Sequence, residues 1–589
     1  MKFIIHRGTH EIGGSCVEVF SESGSRIVID IGMPLTDKNG EKFDINKYKE
    51  LTGPELVEKK ILPDIHGFYK WDKEHKVIDG LLISHPHIDH YGFLVYLNPE
   101  IKYYLGEDAK KLIDITAIFT RVRGFIKNYL AIEDRKSFEI GDFKITPYLV
   151  DHSAFDAYAF LIEADGKKLF YSGDFRGHGR KGILFRRFLK IGPDNVDVLL
   201  LEGTMLGGGR QVCETEEKVQ LRIQKILKER KNIVFFFASS QNIDRLVSAY
   251  KACLKTDSIF VIDLYTAFIL HRLKKETSHI PQFDWDNIRV KFFKSHADSL
   301  ARSGNKESLY LFNRCKIEMP EINAKKDNIL MLQRDNSIFP SVLKHIKNIM
   351  GATIIYSIWE GYLTEKFKEF CAQKGLNIEK IHTSGHAPIE TLERFKEKIK
   401  PTITIPIHTM EPKRYKNLFG RVHILEDGMV YDVNEEVERI DMLGNSITRI
   451  TDMVDDSVRI KAKKSDWKTL PMPKLNTELR CDKFYTNQQI EKINLGLKPI
   501  IMEDKWFIYR DKEWLYMYRS WTGHLIYKVH FVPEENGERI DKIVINRDKT
   551  QYLWQDDKKD LETVSRLIDH LIVLPVKNNT FLTRIYNKE

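Results

Sequence analysis

Along the first 205 or so residues, short apolar runs alternate with glycine-rich turns. The runs fall at 2–6, 15–20, 26–32, 143–150, 159–163, 168–171 and 196–201. Brief apolar stretches bounded by turn formers read as strands, and a helical period over 107–130 lies between them. Several of these runs end on a polar residue. Asp30 follows 27–29, the segment 84–90 follows the apolar run 77–83, His152 follows 149–151, and Asp174 stands within 171–176. Strands that finish in polar residues predict sheets whose C-terminal edges build a site.

The pattern changes between about 210 and 380. Amphipathic helices are predicted at 214–229, 242–254, 265–276, 341–349 and 362–374, alternating with apolar strands at 233–237, 259–262, 329–332 and 353–356. That alternation predicts an α/β region with a largely parallel sheet. Strand-and-turn sequence returns at 402–408, ending on His408, so the middle region reads as an insertion in the first domain. Residues 441–478 are polar and weakly patterned, with Pro471 and Pro473, and read as a linker with a peripheral segment. Beyond them, aromatic-rich strands at 506–510, 514–518 and 525–529 and a helix at 561–574 predict a small α+β domain. The boundaries expected are 1–208 and 379–440 for the interrupted first domain, 209–378 for the insertion, 441–478 for the linker and 479–589 for the last domain. No fixed-period repeat is present.

A chain of 589 residues is too long for one ordinary core, which agrees with several domains. Hydrophobic residues at 42% and charged residues at 30% fit a soluble globular protein. No apolar run approaches the roughly 20 residues that span a bilayer, and the first residues hold too short an apolar core for a signal peptide. A cytoplasmic protein with no membrane partner is expected. The six cysteines (Cys16, Cys213, Cys253, Cys315, Cys371, Cys481) include no CxxC pair, so free thiols are expected rather than a disulfide framework or a thiolate-bound zinc. The formal net charge of +9 permits a polyanionic substrate without demonstrating one.

The densest chemistry is the string HPHIDH at 85–90, where His85, His87, Asp89 and His90 fall within six residues. Imidazole and carboxylate at this density suit zinc or another borderline first-row metal rather than calcium. A histidine-rich surface turn does not explain an aspartate set among histidines at the end of a buried run.

Taken in order, HPHIDH, the later His152, SGDF with Asp174 and PIH with His408 resemble the motifs of the metallo-β-lactamase fold. The resemblance covers roughly residues 1–440 and implies an αββα sandwich with a binuclear zinc site. It implies that His85, His87 and His152 hold one ion and that Asp89, His90 and His408 hold the second, with Asp174 bridging. Manganese or magnesium is an alternative at one position. Asp30 resembles the first-motif aspartate, which orients ligands.

Three further motifs resemble the β-CASP subfamily and, within it, the RNase J group. These are LLLEGT with Glu202, HTSGHA with Ser384, Gly385 and His386, and PIH with His408. The segment FASSQN at 237–242 and the opening GTHEIGG at 8–14 agree with that placement, whereas Ser-Ala-Phe-Asp after His152 and the C-terminal tail depart from it. The resemblance implies an inserted β-CASP α/β domain and a phosphodiester hydrolase, exo- or endonucleolytic, acting on single-stranded RNA through a zinc-activated water. A DNA-directed nuclease and a small-molecule hydrolase of the same fold are the alternatives, and a homo-oligomer is compatible with it. It implies catalytic roles for Asp89, His386 and Glu202 and substrate binding by Ser384, Gly385 and His386. Ser384 is open to a second reading as a turn residue, and Glu202 to one as an orienting acceptor. Arg176, Arg180, Lys181, Arg186, Arg187 and Lys190 read either as phosphate contacts or as a solvated face, and His178 as a loop residue. The tail aromatics Trp506, Trp514, Trp521 and Trp554 read as the core of a small sheet or as base-stacking surfaces.

Overall fold

The computed structural model describes residues 1–433 and 461–573 except 38–39, 74, 121–123, 209–212, 276–278, 500–505, 521 and 553–555. The chain divides into two compact units, Met1–Asn445 and Ser446–Glu589.

Two sheets face each other in the first unit. One runs in the order Met429–Asp432, Lys2–Arg7, Cys16–Phe20, Arg26–Ile29, Gly80–Leu82, Tyr103–Gly106, Tyr129–Ile132. The other runs Ile403–Ile407, Val198–Glu202, Lys167–Tyr171, Ala157–Ala164, Phe143–Val150, Phe138–Ile140. Period-2 alternation builds the layers, because successive strand side chains point to opposite faces. Ile27 and Ile29 join Ile162, Leu169, Leu200 and Ile405 in the core between the sheets. Val28 turns outward onto Phe68, Phe93 and Ile113, and Leu199 and Leu201 turn outward onto Phe188, Leu392 and Phe395. Helices therefore cover both outer faces of a sheet pair.

The strand Ile403–Ile407 pairs in parallel with Val198–Glu202, and Met429–Asp432 pairs with Lys2–Arg7, so the late segment completes sheets begun at the start of the chain. Between them lies a wholly parallel sheet in the order Ile288–Lys291, Ile259–Asp263, Ile329–Gln333, Val234–Phe237, Thr353–Tyr356, Asn377–Lys380. Phe236, Ile262 and Leu332 pack one face against helices Glu216–Glu229 and Ile243–Lys255. Phe235, Phe237 and Met331 pack the other against Ile338–His345 and Glu365–Gln373.

The helix expected over 107–130 ends at Phe119. Thr120 is extended, and the chain returns as the strand Tyr129–Ile132 alongside Tyr103–Gly106.

The second unit holds a five-stranded antiparallel sheet in the order Asn476–Thr486, Gly537–Asn546, Leu525–Glu534, Trp514–Arg519, Trp506–Asp511. Val564, Leu567, Ile568 and Leu571 of the helix Asp557–Val573 pack on one face. Residue 574, the last of the expected helix, lies outside the described residues, as do Trp521 and Trp554. Of the segment expected as a linker, 441–460 also lies outside them. Its later part carries Ala462 and Trp467, which pack on the other face of this sheet against Phe507, Tyr509, Tyr518 and Leu525.

Candidate metal centre

The polar residues at the strand ends of the first unit converge. His85, His87 and His152 bring one ligand atom each within 4.8 Å of one another, and so do Asp89, His90, Asp174 and His408. The Asp174 carboxylate lies between the two groups, with Oδ2 3.6 Å from His85 Nε2 and 3.1 Å from His90 Nε2. Asp89 Oδ2 is 3.4 Å from His408 Nε2. All seven residues except half-buried His87 are buried.

The local fold explains the convergence. Strand Gly80–Leu82 delivers His85 and His87, and the single helical turn Ile88–Tyr91 carries Asp89 and His90 back beneath them. Asp30 and His408 end their strands in the left-handed region, at φ 59° and 54°, which turns each side chain off its sheet edge. Such positions cost of order 1–3 kcal/mol and persist where surrounding contacts enforce them. Gly32 allows the turn to close, because a Cβ there would lie 1.6 Å from the Asp89 carbonyl oxygen.

Four of the imidazoles are pinned through Nδ1, leaving Nε2 for the centre. His90 Nδ1 donates to Asp30 Oδ2 (2.8 Å), which also accepts from the Ser84 hydroxyl (2.7 Å) and the Tyr171 hydroxyl (2.8 Å). His152 Nδ1 donates to the Gly385 carbonyl (2.7 Å), and His408 Nδ1 lies 2.8 Å from Thr204 Oγ1. With Nδ1 of His152 committed to a carbonyl, its Nε2 is an acceptor and takes the His87 Nδ1 proton at 3.2 Å. Buried His85 Nε2 has no hydrogen-bond partner. A buried, orphaned Nε2 on His85 beside imidazoles braced through Nδ1 is what metal ligation requires.

Charge agrees with that fit at five donors; at His90 burial opposes charge, but Asp174, Asp30 and Asp89 outweigh it and hold the imidazole well above its usual range. Burial pushes His85 and His152 well below the usual imidazole range and His87 down to about 4, so all three are neutral donors. Burial opposes ionisation of Asp174 and Asp89, but neighbouring imidazoles outweigh it and hold both carboxyls below their ordinary range. Neutral nitrogen and ionised oxygen donors suit zinc or a similar divalent ion.

The segment 382–386 closes one side. His386 Nδ1 stands 3.5 Å from Glu202 Oε2 and 3.8 Å from Asp174 Oδ2. Burial opposes charge on His386, yet these carboxylates raise it to about 9. Ser384 Oγ accepts the His386 N–H (3.0 Å), leaving its own proton to donate. Glu202 accepts the N–H groups of Thr204 (3.0 Å) and Ala387 (3.2 Å). It therefore braces the histidine motif and, through Thr204, His408.

Of the basic residues after Asp174, Arg176 is neither a phosphate contact nor a solvated side chain. It is fully buried, paired with Asp151 and Asp244, and donates to the Ser384 carbonyl (2.9 Å). Lys181 reaches Asp244 and the His152 carbonyl, and Arg187 pairs with Asp134. His178 also donates to the Ser384 carbonyl (3.0 Å), so it is a bracing residue of its loop. Sequence reasoning missed this bracing layer, including Thr204, Tyr171, Asp244 and Arg245. Only Thr204 carried a sequence signal, its place beside Glu202 at a strand end.

The family described as Beta-lactamase superfamily domain matches residues 62–214. Ribonuclease J of Mycoplasma genitalium is 22% identical over 345 residues, which is 56% of this chain and 57% of that protein. Ribonuclease J of Helicobacter pylori strain 26695 is 24% identical over 409 residues, 68% of this chain and 55% of that protein. The chain thus spans a little over half the length of these relatives. An RNase J-like protein of Methanocaldococcus jannaschii is 23% identical over 445 residues, 70% of this chain and 93% of that protein. A crystal structure of a protein of unknown function from Enterococcus faecalis V583 shares the fold, with a TM-score of 0.60 at 19% identity over 73% of this chain and 99% of that one. Residues 62–214 are thus similar to the Beta-lactamase superfamily domain, and the chain is similar in sequence to proteins named Ribonuclease J and RNase J-like protein.

Proposed function

We propose that the chain is a metal-dependent ribonuclease that hydrolyses phosphodiester bonds of single-stranded RNA. The observation that carries this reading is the placing of the Ser384–Gly385–His386 segment directly against a buried seven-residue ligand cluster. His85, His87 and His152 would hold one ion and Asp89, His90 and His408 a second, with Asp174 shared. Two divalent ions, when bound there, would supply a nucleophilic water at neutral pH and positive charge for the attacking and leaving oxygens of a phosphodiester.

The chain's own residues supply the rest. The Ser384 hydroxyl, freed by its backbone acceptor role, donates to a phosphate oxygen. His386, kept cationic by Glu202 and Asp174, neutralises phosphate charge and gives its proton to the departing 3′-oxygen. Glu202 positions His386 and does not touch substrate. Arg176 and His178, both on the Ser384 carbonyl, fix the segment's distance from the cluster.

End-labelled single-stranded RNA and DNA of one sequence, incubated with zinc- or manganese-loaded protein, test the reading. Faster RNA turnover that a chelator abolishes is expected. Preferential DNA turnover would replace the substrate class, and turnover insensitive to chelation would remove the metal.

A further inference from the structure

The strand Thr353–Tyr356 leaves the inserted sheet at its C-terminal edge, beside the strand that leads to the Ser384–His386 segment. Residues 357–363 are firmly held there. The Ser357 hydroxyl donates to the Ile381 carbonyl, and the Ser357 carbonyl receives Arg245 Nη1 at 2.8 Å and His382 Nδ1 at 3.3 Å. Glu360 pairs with Lys380. Ile358 and Leu363 turn inward onto the core that contains Tyr356 and Phe367.

Between those two anchors, Trp359 and Tyr362 point out, 61% and 44% exposed. Their rings meet edge to face, with centroids 5.2 Å apart at 90°. The indole lies against the backbone at Gly361, where a Cβ would come within 2.3 Å of Trp359 Cη2. Burial raises the Tyr362 hydroxyl above its ordinary range, and the Asp89 charge adds to it. Two large rings are therefore presented to solvent on a loop hydrogen-bonded to Ile381 and His382, at the root of the Ser384–His386 segment. A single pair is far too small for a protein interface, which takes roughly 800 Å² a side. It is the size of a stacking platform for one unpaired base, worth about 1–3 kcal/mol per base.

We propose that Trp359 and Tyr362 form a nucleobase-stacking subsite beside the Ser384–His386 segment, taking an unpaired base of the single-stranded substrate. The proposal rests on the ribonuclease reading above. Stacking on an aromatic face is tolerant of base identity, so the subsite acts on affinity and on placing the chain rather than on sequence choice.

Steady-state cleavage by the metal-loaded full chain tests it, using single-stranded RNA oligonucleotides and the same oligonucleotides with abasic positions. On the normal RNA, Trp359→Ala is expected to raise KM about tenfold with kcat nearly unchanged, Tyr362→Ala to act in the same direction, and Trp359→Phe to restore most of the loss. On the abasic RNA, wild type and Trp359→Ala should have the same KM. Unchanged KM in Trp359→Ala, or an equal rise on both substrates, overturns the subsite and leaves the ribonuclease reading intact. A wild-type chain that cleaves no RNA removes that reading and the subsite with it.

Discussion

Asp30 gathers the hydroxyls of Ser84 and Tyr171, the Ser84 N–H and His90 Nδ1 on one fully buried carboxylate, without itself reaching the ligand groups. It fixes the tautomer and angle of His90, so its loss acts through another residue. Asp30→Asn is expected to weaken metal affinity about 10–100-fold, as outer partners of ligands typically do, read by competition with a chromogenic chelator. Thr204→Val should act similarly through His408 and leave the other group intact. His87→Ala and Asp89→Ala remove donors outright and are expected to abolish turnover while circular dichroism stays native. Undiminished cleavage by either would refute the assigned centre. At this scale the sequence was highly legible where ligands are consecutive, as in 85–90. It was opaque for Arg176 and Asp244, whose meaning lies in partners 68 residues apart. A run of arginines and lysines has no signature that separates a buried clamp from a solvated face.

Among elements, the helix Ile243–Lys255 is joined to the loops of the paired sheets by buried charges. Asp244 meets Arg176 and Lys181, while Arg245 meets Glu216 and the Thr383 carbonyl. Burial opposes ionisation of Asp244 and Glu216, but Lys181 and Arg176 for the first and Arg245 for the second pull both below their ordinary values. A carboxyl lowered on folding stabilises the fold fully above its unfolded pKa of about 4, and that contribution fades as pH falls through the lower folded value. Asp244→Asn should therefore cost about 3–5 kcal/mol near neutral pH, as breaking a buried pair does. In urea unfolding, its deficit relative to wild type should shrink as pH falls from about 5 to 3. A deficit independent of pH would show that the pair carries no charge in the fold. Element patterns were readable where one face is buried: the strands at 233–237, 259–262 and 353–356 appear within a residue of expectation. Asn476–Thr486 and Gly537–Asn546 were not read, because the first alternates polar residues on both faces and the second mixes charges into its apolar face. The helices Lys294–Arg302 and Lys306–Asn313 each bury a single residue, too small an apolar face to register.

Across the whole molecule, each unit has its own core. Val564, Leu567, Ile568 and Leu571 close the second unit over its own sheet. Ile568→Ala should lower the melting temperature of one transition only, consistent with a loss of about 2–5 kcal/mol in that unit, and leave metal content unchanged. A uniform shift of a single cooperative transition would mean the units unfold as one. The order of motifs foretold the paired sheets and the interrupting region, since a strand returning at 402–408 has to find a partner. The role of the second unit was not written in its aromatic residues. Trp506 is core, and Trp514 is covered by the Lys528 ammonium 3.8 Å from its ring.

The central claim is a hydrolytic centre that needs both ligand groups filled. The most direct measurement strips the chain with a chelator, restores zinc or manganese in steps, and follows bound metal and RNA cleavage in the same samples. Cleavage that rises with occupancy and levels off at about two ions per chain is the expected result. Full cleavage by the stripped chain, or two bound ions with no cleavage of RNA, would contradict it.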